Sequence, residues 1–150
     1  MRVPLRGVPL EARRCRTGGH GPIGLLHSAS VVRGTDYELA RRAVLRDLAA
    51  GRVHRSDVCD AHPELLRAAR NVGEKVGKQC PVCKSRQLYY VSYVYGDRLR
   101  AANGRALSQP DELSKLSKQH DEFDCYVVEV CTDCHWNYLG RRELHGKKVG

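Results

Sequence analysis

The spacing of apolar residues predicts two main helices in the middle of the chain. In the first helix they recur at intervals of three and four residues, at Tyr37, Ala40, Val44 and Leu48. In the second they are Leu65, Ala68, Ala69 and Val72. Gly51 and Gly73 follow these stretches and are expected to end the helices, and Pro63 suits the first position of the second one. A shorter helical turn is expected from Ser56 to Cys59.

Three later stretches are rich in aromatic and β-branched residues, which favour extended strands. They span residues 87–95, 123–131 and 135–141. The polar stretch 96–107 predicts a loop, and Leu113 and Leu116 are spaced for a short helix over 110–119. The predicted fold class is α+β, with a small N-terminal helical module followed by antiparallel strands that carry a helical insertion.

Residues 1–34 show neither the three-and-four spacing of a helix nor the pattern of a strand. They contain six arginines, one glutamate and a glycine-rich run, so they are predicted to form a disordered basic tail. The predicted organisation is therefore a tail over 1–34, a helical module over 35–78 and a strand-bearing module over 79–150. Because Val31 or Val32 would suit a valine-codon start, we interpret the tail as a mis-assigned start region. Mass spectrometry of the native protein would test that hypothesis.

The formal net charge of +9 does not by itself predict a basic binding face. The tail contributes +5, and residues 35–79 and 80–150 contribute only +2 each. No stretch approaches the roughly 18 to 20 consecutive apolar residues of a transmembrane helix, and the N-terminal region lacks the apolar core of a signal peptide. We therefore expect a cytoplasmic protein with no membrane partner. A chain of 150 residues is also short for a deep catalytic core.

Four of the seven cysteines form two Cys-x-x-Cys pairs, Cys80 with Cys83 and Cys131 with Cys134. This spacing lets both thiolates of a pair bind one tetrahedral Zn²⁺ ion at about 2.3 Å. The pairs are separated by 47 residues, more than the roughly 15 to 20 of a compact zinc ribbon. Antiparallel pairing of the two predicted strands between them would still bring the pairs together. One structural zinc ion in a zinc ribbon over 79–150 is therefore predicted. The alternatives are buried thiols or a redox Cys-x-x-Cys pair. A redox pair is expected in a parallel βαβ unit, whereas both pairs here border strands predicted to be antiparallel.

Cys59 and His62 form a second candidate ligand pair, which Cys15 and His20 of the tail would complete. In the competing interpretation Cys59 is a small buried side chain and His62 caps the helix that follows it. Cys125 lies within a predicted strand, where we expect it to pack in the core.

Seven basic residues are candidates for contacts with a partner. They are Arg41, Arg42, Arg46, Lys84, Arg86, Arg141 and Arg142. The aromatic residues of the neighbouring strands would stack on single-stranded nucleic acid if they were exposed. A small sheet needs aromatic side chains for its own core, however, so the buried interpretation is favoured.

The chain shows no convincing arrangement for catalysis. We find no nucleophile beside a local base, no pair of carboxylates suited to acid–base catalysis and no phosphate-binding glycine loop. A zinc ion held by four thiolates also leaves no position for a substrate. We therefore expect neither an enzyme nor a small-molecule substrate.

The predicted function is non-enzymatic binding, as an adaptor for the transcription or translation machinery. Its partner would be a protein or nucleoprotein complex, with direct contact to nucleic acid as one form of that binding. This prediction rests on analogy with other zinc ribbons. The alternatives are a thiol-based redox sensor, with Cys59 and Cys125 as the reactive thiols, and a structural subunit of a protein complex.

Several segments together resemble an actinobacterial family of small, zinc-ribbon-like proteins whose domain is of unknown function. They are DYELARR (36–42), VCDAHPELLRAA (58–69), CPVC (80–83), YVYGD (93–97) and VVEVC (127–131). The resemblance covers about residues 36 to 145, with the tail outside it. It implies a cytoplasmic protein from an actinobacterium and supplies no activity, substrate or catalytic residue. Both cysteine pairs match the family pattern and carry over as expected ligands. Cys59 and His62 match as well, which adds slight support to the second ligand pair but leaves the competing interpretation preferred.

Overall fold

The fold is given by a computed structural model, which describes residues 33–147. The strands are β1 Arg33–Asp36, β2 Glu74–Lys75, β3 Leu88–Tyr95, β4 Phe123–Cys131 and β5 Asn137–His145. The helices are α1 Glu38–Ala49, α2 Arg55–Val58, α3 Pro63–Val72 and α4 Glu112–Gln119, with a 3-10 segment at Asp97–Ala102. The α+β class predicted from the sequence is confirmed. Within the described residues, no helix is long and apolar enough to cross a lipid bilayer.

The two main helices begin where the sequence supplies groups that satisfy their first amides. Before α1, the Asp36 carboxylate accepts a hydrogen bond from the Glu38 amide at 2.7 Å. Helix α3 starts at Pro63, and the His62 ring accepts a hydrogen bond from the Glu64 amide at 3.2 Å. Both contacts occupy backbone donors that have no partner within the helix. The predictions of α1 and α3 are confirmed, with bounds within a residue or two.

The five strands form one antiparallel sheet in the order β1-β5-β4-β3-β2. Strands β3 and β4 pair over their lengths, from Leu88 opposite Cys131 to Tyr95 opposite Asp124. Strand β5 lies along the other side of β4, and the register shifts between Val127 and Val128. The three predicted strands are therefore present, and β5 continues to His145, beyond its predicted end.

The sequence did not predict the two outer strands. Strand β1 is RGTD and β2 is EK, and all six residues are exposed. Their partners β5 and β3 order them through backbone pairing, so they lack the apolar alternation from which strands are predicted. Arg33 and Gly34 belong to β1 although the predicted tail ends at residue 34, and the rest of that tail, residues 1–32, lies outside the described residues.

Both faces of the sheet are covered by apolar side chains. Val91 lies opposite Val128 and Val94 lies opposite Cys125, and because side chains alternate along a strand, these two pairs point to opposite faces. The first cluster includes Leu65, Leu66 and Ala69 of α3 together with Val91, Tyr93, Val128 and Val130. The second includes Leu99, Leu107 and Leu116 together with Val94, Phe123, Cys125 and Val127. The helices before the sheet and the sheet itself thus share a core.

The insertion between β3 and β4 is more ordered than predicted. Its first part was expected to be a polar loop, but it contains the 3-10 segment, in which Leu99 is buried. Leu107 is also buried, and Ala106 forms an isolated bridge with Tyr93. The predicted helix over 110–119 is present as α4 and buries Leu116. The insertion therefore covers the second face of the sheet.

Candidate metal centre

Each Cys-x-x-Cys segment, 80–83 and 131–134, forms a tight turn that we call a knuckle. In the first, the Lys84 amide donates to the Cys80 carbonyl at 3.0 Å; in the second, the His135 amide donates to the Cys131 carbonyl at 3.0 Å. The amide of the first cysteine donates in turn to the carbonyl five residues later, at 2.8 Å in both. The two segments therefore repeat one backbone structure.

The residue after the second cysteine has the same unusual conformation in both knuckles. Lys84 has a φ of 65° and His135 a φ of 67°. Non-glycine residues rarely adopt this left-handed region, and those that do are concentrated at functional sites. The matching turns place both cysteines of each knuckle on the same side of the backbone.

The register of the sheet brings the two knuckles together. The first knuckle precedes β3 and the second begins at the end of β4, and these two ends are adjacent because Leu88 pairs with Cys131. The Thr132 amide donates to the Gln87 carbonyl at 3.0 Å, and the Ser85 hydroxyl donates to the Asp133 carboxylate. The predicted convergence of the two pairs is thus confirmed.

The four sulfurs fit a tetrahedral metal ion. All lie within 4.8 Å of one another, with Cys80 Sγ 3.6 Å from Cys134 Sγ and Cys83 Sγ 3.6 Å from Cys131 Sγ. A tetrahedron with metal–sulfur bonds of about 2.3 Å has edges of about 3.8 Å. Cys80 and Cys131 are fully buried, whereas Cys83 and Cys134 are half-buried. The arrangement is compatible with one ion bound by one sulfur from each cysteine.

Burial makes it difficult for two of these thiols, Cys80 and Cys134, to ionise without a cation. It raises the pKa of Cys80 to about 11 and also raises the pKa of Cys134, and neighbouring thiolates add to the second shift. Burial acts in the same direction on Cys83, but hydrogen bonds from the Ser85 amide and the other three thiols outweigh it and lower its pKa. A divalent ion would displace the remaining protons and compensate the negative charge.

A fifth thiol lies against this cluster. Cys59 Sγ is 3.9 Å from Cys134 Sγ. The segment that carries Cys59 is held against the second knuckle, because the Ala61 amide donates to the His135 carbonyl at 3.0 Å and the Asn137 amide group donates to the Asp60 carboxylate at 3.0 Å. This contact was not predictable from the sequence, because Cys59 and Cys134 are far apart in the chain and belong to different predicted modules.

Arg55 places a positive charge beside the same sulfurs. A hydrogen bond to Cys59 raises the pKa of Arg55, and electrostatic interactions with Cys59 and Cys134 raise it further. A divalent ion with four thiolates carries a net charge of −2, which the guanidinium would partly balance. Arg55 carries no local sequence signal for this role, because its position beside the sulfurs depends on the tertiary fold.

The remaining candidate ligands have other surroundings. His62 caps α3 through the Glu64 amide, as in one of the two predicted interpretations. Cys125 is completely buried in the second apolar cluster, and burial raises its pKa to about 12. Such a thiol is largely protonated at neutral pH and is a poor nucleophile. Cys15 and His20 lie outside the described residues.

Four of the seven predicted partner-binding residues take part in ion pairs within the chain. Arg41 pairs with Glu129, Arg42 with Glu38, Arg141 with Glu143 and Arg142 with Asp124. Arg46, Lys84 and Arg86 are exposed side chains. Lys84 also donates to the Pro81 carbonyl at 3.1 Å. These last three residues are therefore accessible to a partner.

The aromatic side chains of the strands serve mainly as core. Trp136 has no exposed surface, Tyr138 is 2% exposed and Tyr93 is 5% exposed. Trp136 donates a hydrogen bond to the Glu129 carboxylate at 2.7 Å, and Arg41 donates to the same carboxylate at 2.9 Å. These three buried rings offer no platform on which bases could stack, whereas Tyr89, Tyr90 and Tyr95 are half-buried.

A basic groove adjoins the first knuckle. Residues 75–86 contain four cations, Lys75, Lys78, Lys84 and Arg86, and no acidic residue. A surface cleft of about 440 Å³ is lined by three of them together with residues 76, 77 and 79. The cations are held near one another because β2 pairs with β3, and the Val76 amide donates to the Leu88 carbonyl at 2.9 Å.

Comparison with known proteins places the chain among relatives without an assigned activity. Residues 29–149 match the model of a family of unknown function, DUF5318. The chain is 45% identical over 111 residues to the uncharacterized proteins Mb0050 of Mycobacterium bovis and Rv0049 of Mycobacterium tuberculosis. The aligned part covers 74% of this chain and 80% of each relative. No solved structure matches the chain significantly. The extent of the family match shows that the chain belongs to the DUF5318 family of unknown function.

Proposed function

We propose that the chain is a zinc-stabilised, non-enzymatic binding protein that acts in the cytoplasm as an adaptor for a nucleoprotein complex of transcription or translation. The observation that carries the proposal is the pair of matching knuckles, whose four sulfurs surround one tetrahedral position beside a basic groove. The metal would build the surface, and the groove would contact the partner.

Zinc is the ion that this donor set favours. Thiolate ligands select soft or borderline metals, and four cysteines in a tetrahedral arrangement are typical of structural zinc. Four sulfurs close the coordination sphere, so this site supplies no position for a reacting water or substrate. The reducing cytoplasm would keep the thiols available to the metal.

The groove suits a negatively charged surface. Lys75, Lys78 and Arg86 line it, and their side chains extend from a segment that carries no acidic residue. Contacts with phosphates would supply affinity without reading sequence, as is usual for cations that bind the nucleic-acid backbone. The burial of Trp136 and Tyr138 argues against base stacking as the main contact.

The zinc-loaded chain should bind single-stranded RNA or DNA with an affinity that falls as salt rises. Fluorescence anisotropy at several salt concentrations would give the slope of log K against log salt, which changes by about 0.7 for each phosphate contact with a single strand. Lys78→Ala combined with Arg86→Ala should flatten this slope by roughly 1 to 2. Lys115→Ala is the matched control, because Lys115 is an exposed cation of α4 paired with Asp111.

Two outcomes would contradict the adaptor proposal. If the chain does not bind nucleic acid even at low salt, direct contact with nucleic acid is ruled out. Co-purification with a protein partner alone would then favour a structural subunit of a protein complex. An equal loss of affinity in the Lys115 control and the double variant would show that the groove is not the contact surface.

A thiol-based redox sensor is a second candidate, and the 3.9 Å separation of the Cys59 and Cys134 sulfurs favours it. A peroxide would oxidise the Cys59 thiol to a sulfenic acid and release water. The Cys134 thiolate would then attack that sulfur and form a disulfide, and the hydroxide that it displaces would take a proton from solvent and leave as a second water. Cys134 would be lost as a ligand, and the zinc ion would be released.

Zinc release during peroxide treatment would test this alternative. Cys59→Ser should slow release several-fold compared with the original chain if Cys59 starts the reaction. A metal-binding dye reports the released zinc, and mass spectrometry identifies the disulfide. Equal release from the Cys59 variant and the original chain would reject the sensor.

A further inference from the structure

Three metal-binding side chains meet at the end of the sheet that is distant from the knuckles. Cys125, Glu143 and His145 each offer a ligand atom, and the three atoms lie within 4.8 Å of one another. His145 Nε2 is 3.0 Å from Glu143 Oε2. Cys125 lies on β4, and the other two residues lie on β5.

The register of the sheet explains why these side chains converge. Cys125 pairs directly with Glu143, and Phe123 pairs with His145. Since side chains two residues apart share a face, Glu143 and His145 project to the side of the sheet on which Cys125 is buried. The Phe123 ring stacks on the His145 ring with their centres 5.8 Å apart, which fixes the imidazole beside the other two groups.

This cluster is separate from the knuckles. Cys125 and Cys131 are six residues apart on one strand, which corresponds to about 20 Å. The cluster is also more sheltered than a surface group of acids, because Cys125 has no exposed surface and the His145 side chain is 12% exposed. A metal bound at one end of β4 would therefore share no ligand with a metal at the other end.

We propose that Cys125, Glu143 and His145 form a second metal site, which binds one divalent transition-metal ion of the zinc class. A thiolate, an imidazole and a carboxylate are all ligands that zinc accepts. Magnesium and calcium prefer oxygen ligands only, so a site with sulfur and nitrogen ligands does not suit them. Three protein ligands leave the fourth tetrahedral position to a water molecule. The proposal concerns binding and adds no reaction.

The contacts around Glu143 support a ligand role. One carboxylate oxygen faces His145, while the other accepts a hydrogen bond from Arg141 at 2.6 Å. Partners of this kind orient ligand carboxylates in known metal sites. The 3.0 Å between His145 Nε2 and Glu143 Oε2 is close to the roughly 3.4 Å edge of a tetrahedron with bonds of about 2.0 to 2.2 Å. A small movement would therefore admit the ion, and the thiol proton of Cys125 would be displaced as it binds.

The difference in zinc content between matched variants tests this site independently of the knuckles. The full-length chain is equilibrated with a small excess of Zn²⁺, dialysed and analysed for zinc per chain by mass spectrometry. Glu143→Gln and His145→Ala should each hold one zinc fewer than the original chain. Glu143→Gln preserves the size of the side chain, so it still tests the site if His145→Ala does not fold. Circular dichroism would verify the fold of both variants.

His120→Ala is the matched control. It removes an imidazole on the same sheet end, next to Phe123 at a ring distance of 6.5 Å, but His120 is not among the clustered ligands. The control should retain the zinc content of the original chain. If folded Glu143→Gln and His145→Ala also retain that content, the second site is refuted. Because only differences are compared, this conclusion holds whether or not the four knuckle cysteines bind zinc.

Discussion

The buried carboxylate of Glu129 should make Arg41 a major contributor to stability. Glu129 is 5% exposed, and its carboxylate accepts hydrogen bonds from Arg41 at 2.9 Å and from Trp136 at 2.7 Å. Replacing Arg41 with Met would keep an apolar stem of similar length but remove the guanidinium. The carboxylate would then keep only the neutral indole donor, and its charge would have no compensating partner.

The structure sets the expected magnitude and provides a control one residue away. Removing one partner of a buried ion pair costs about 3 to 5 kcal/mol. Because the Arg41 side chain is itself 18% exposed, we expect the lower end, about 3 kcal/mol. Arg42 has a 61% exposed side chain and forms an i,i+4 pair with Glu38, so Arg42→Met should cost no more than about 0.5 kcal/mol.

Urea unfolding at pH 7 would measure both effects. All variants would be compared at the same free zinc concentration, because a bound metal adds its own contribution to stability. The transition midpoint and its slope give the free energy of unfolding, and an unchanged slope shows that only stability has changed. Far-UV circular dichroism before unfolding would establish that each variant is folded.

A double variant gives the sharpest test of the cause. Arg41→Met with Glu129→Gln removes the buried charge but leaves an amide oxygen that can accept from Trp136. It should therefore be more stable than Arg41→Met alone by roughly 1 to 2 kcal/mol. If the double variant is less stable than Arg41→Met, or if Arg41→Met costs no more than Arg42→Met, an uncompensated charge is not the reason for the destabilisation.

Three further predictions concern other parts of the fold. Cys134→Ser should lower zinc content by one per chain and remove the rise in melting temperature caused by that ion, as measured by elemental analysis and thermal unfolding; unchanged zinc content would contradict the knuckle site. Burial raises the pKa of Tyr93 from 10.0 to about 12, so folding loses stability as pH rises from 10 to 12. Tyr93→Phe should remove up to about 2.7 kcal/mol of that loss, because a pKa difference of about two corresponds to about 1.36 kcal/mol for each pH unit. Urea unfolding between pH 10 and 12 would measure this, and identical pH profiles for the variant and the original chain would refute the prediction. Leu116→Ala should cost about 2 to 5 kcal/mol by opening a cavity under α4, and a loss below about 1 kcal/mol would show that the insertion is not part of the core.

The central strands and the main helices were predictable because their side chains carry the signal. Aromatic and β-branched residues mark β3 and β4, and β4 has its predicted bounds. The repeated cysteine spacing predicted that two distant segments would meet, and the pairing of Leu88 with Cys131 brings them together. The local pattern was sufficient to predict an element wherever its apolar residues recurred with the spacing of that helix or strand.

Other features depend on tertiary contacts that a linear pattern does not contain. Strands β1 and β2 are short and polar, so their existence depends on the backbones of β5 and β3. Cys59 reaches Cys134 only after the segment before α3 docks on the second knuckle. The cluster of Cys125, Glu143 and His145 depends on a register that includes the bulge between Val127 and Val128. A strand paired without that bulge would point β5 side chains to the other face.

The placement of the knuckles at the two ends of a long segment has a consequence for biosynthesis. The ribosome releases the first cysteine pair well before the second, since 47 residues separate Cys83 from Cys131. A nascent or truncated chain that ends before Cys131 would carry only two of the four clustered cysteines, and β3 would still lack β4 as its partner. If the four cysteines bind zinc as proposed, zinc capture would be completed late in synthesis, together with the pairing of β3 and β4, and zinc retention would distinguish intact chains from prematurely terminated ones.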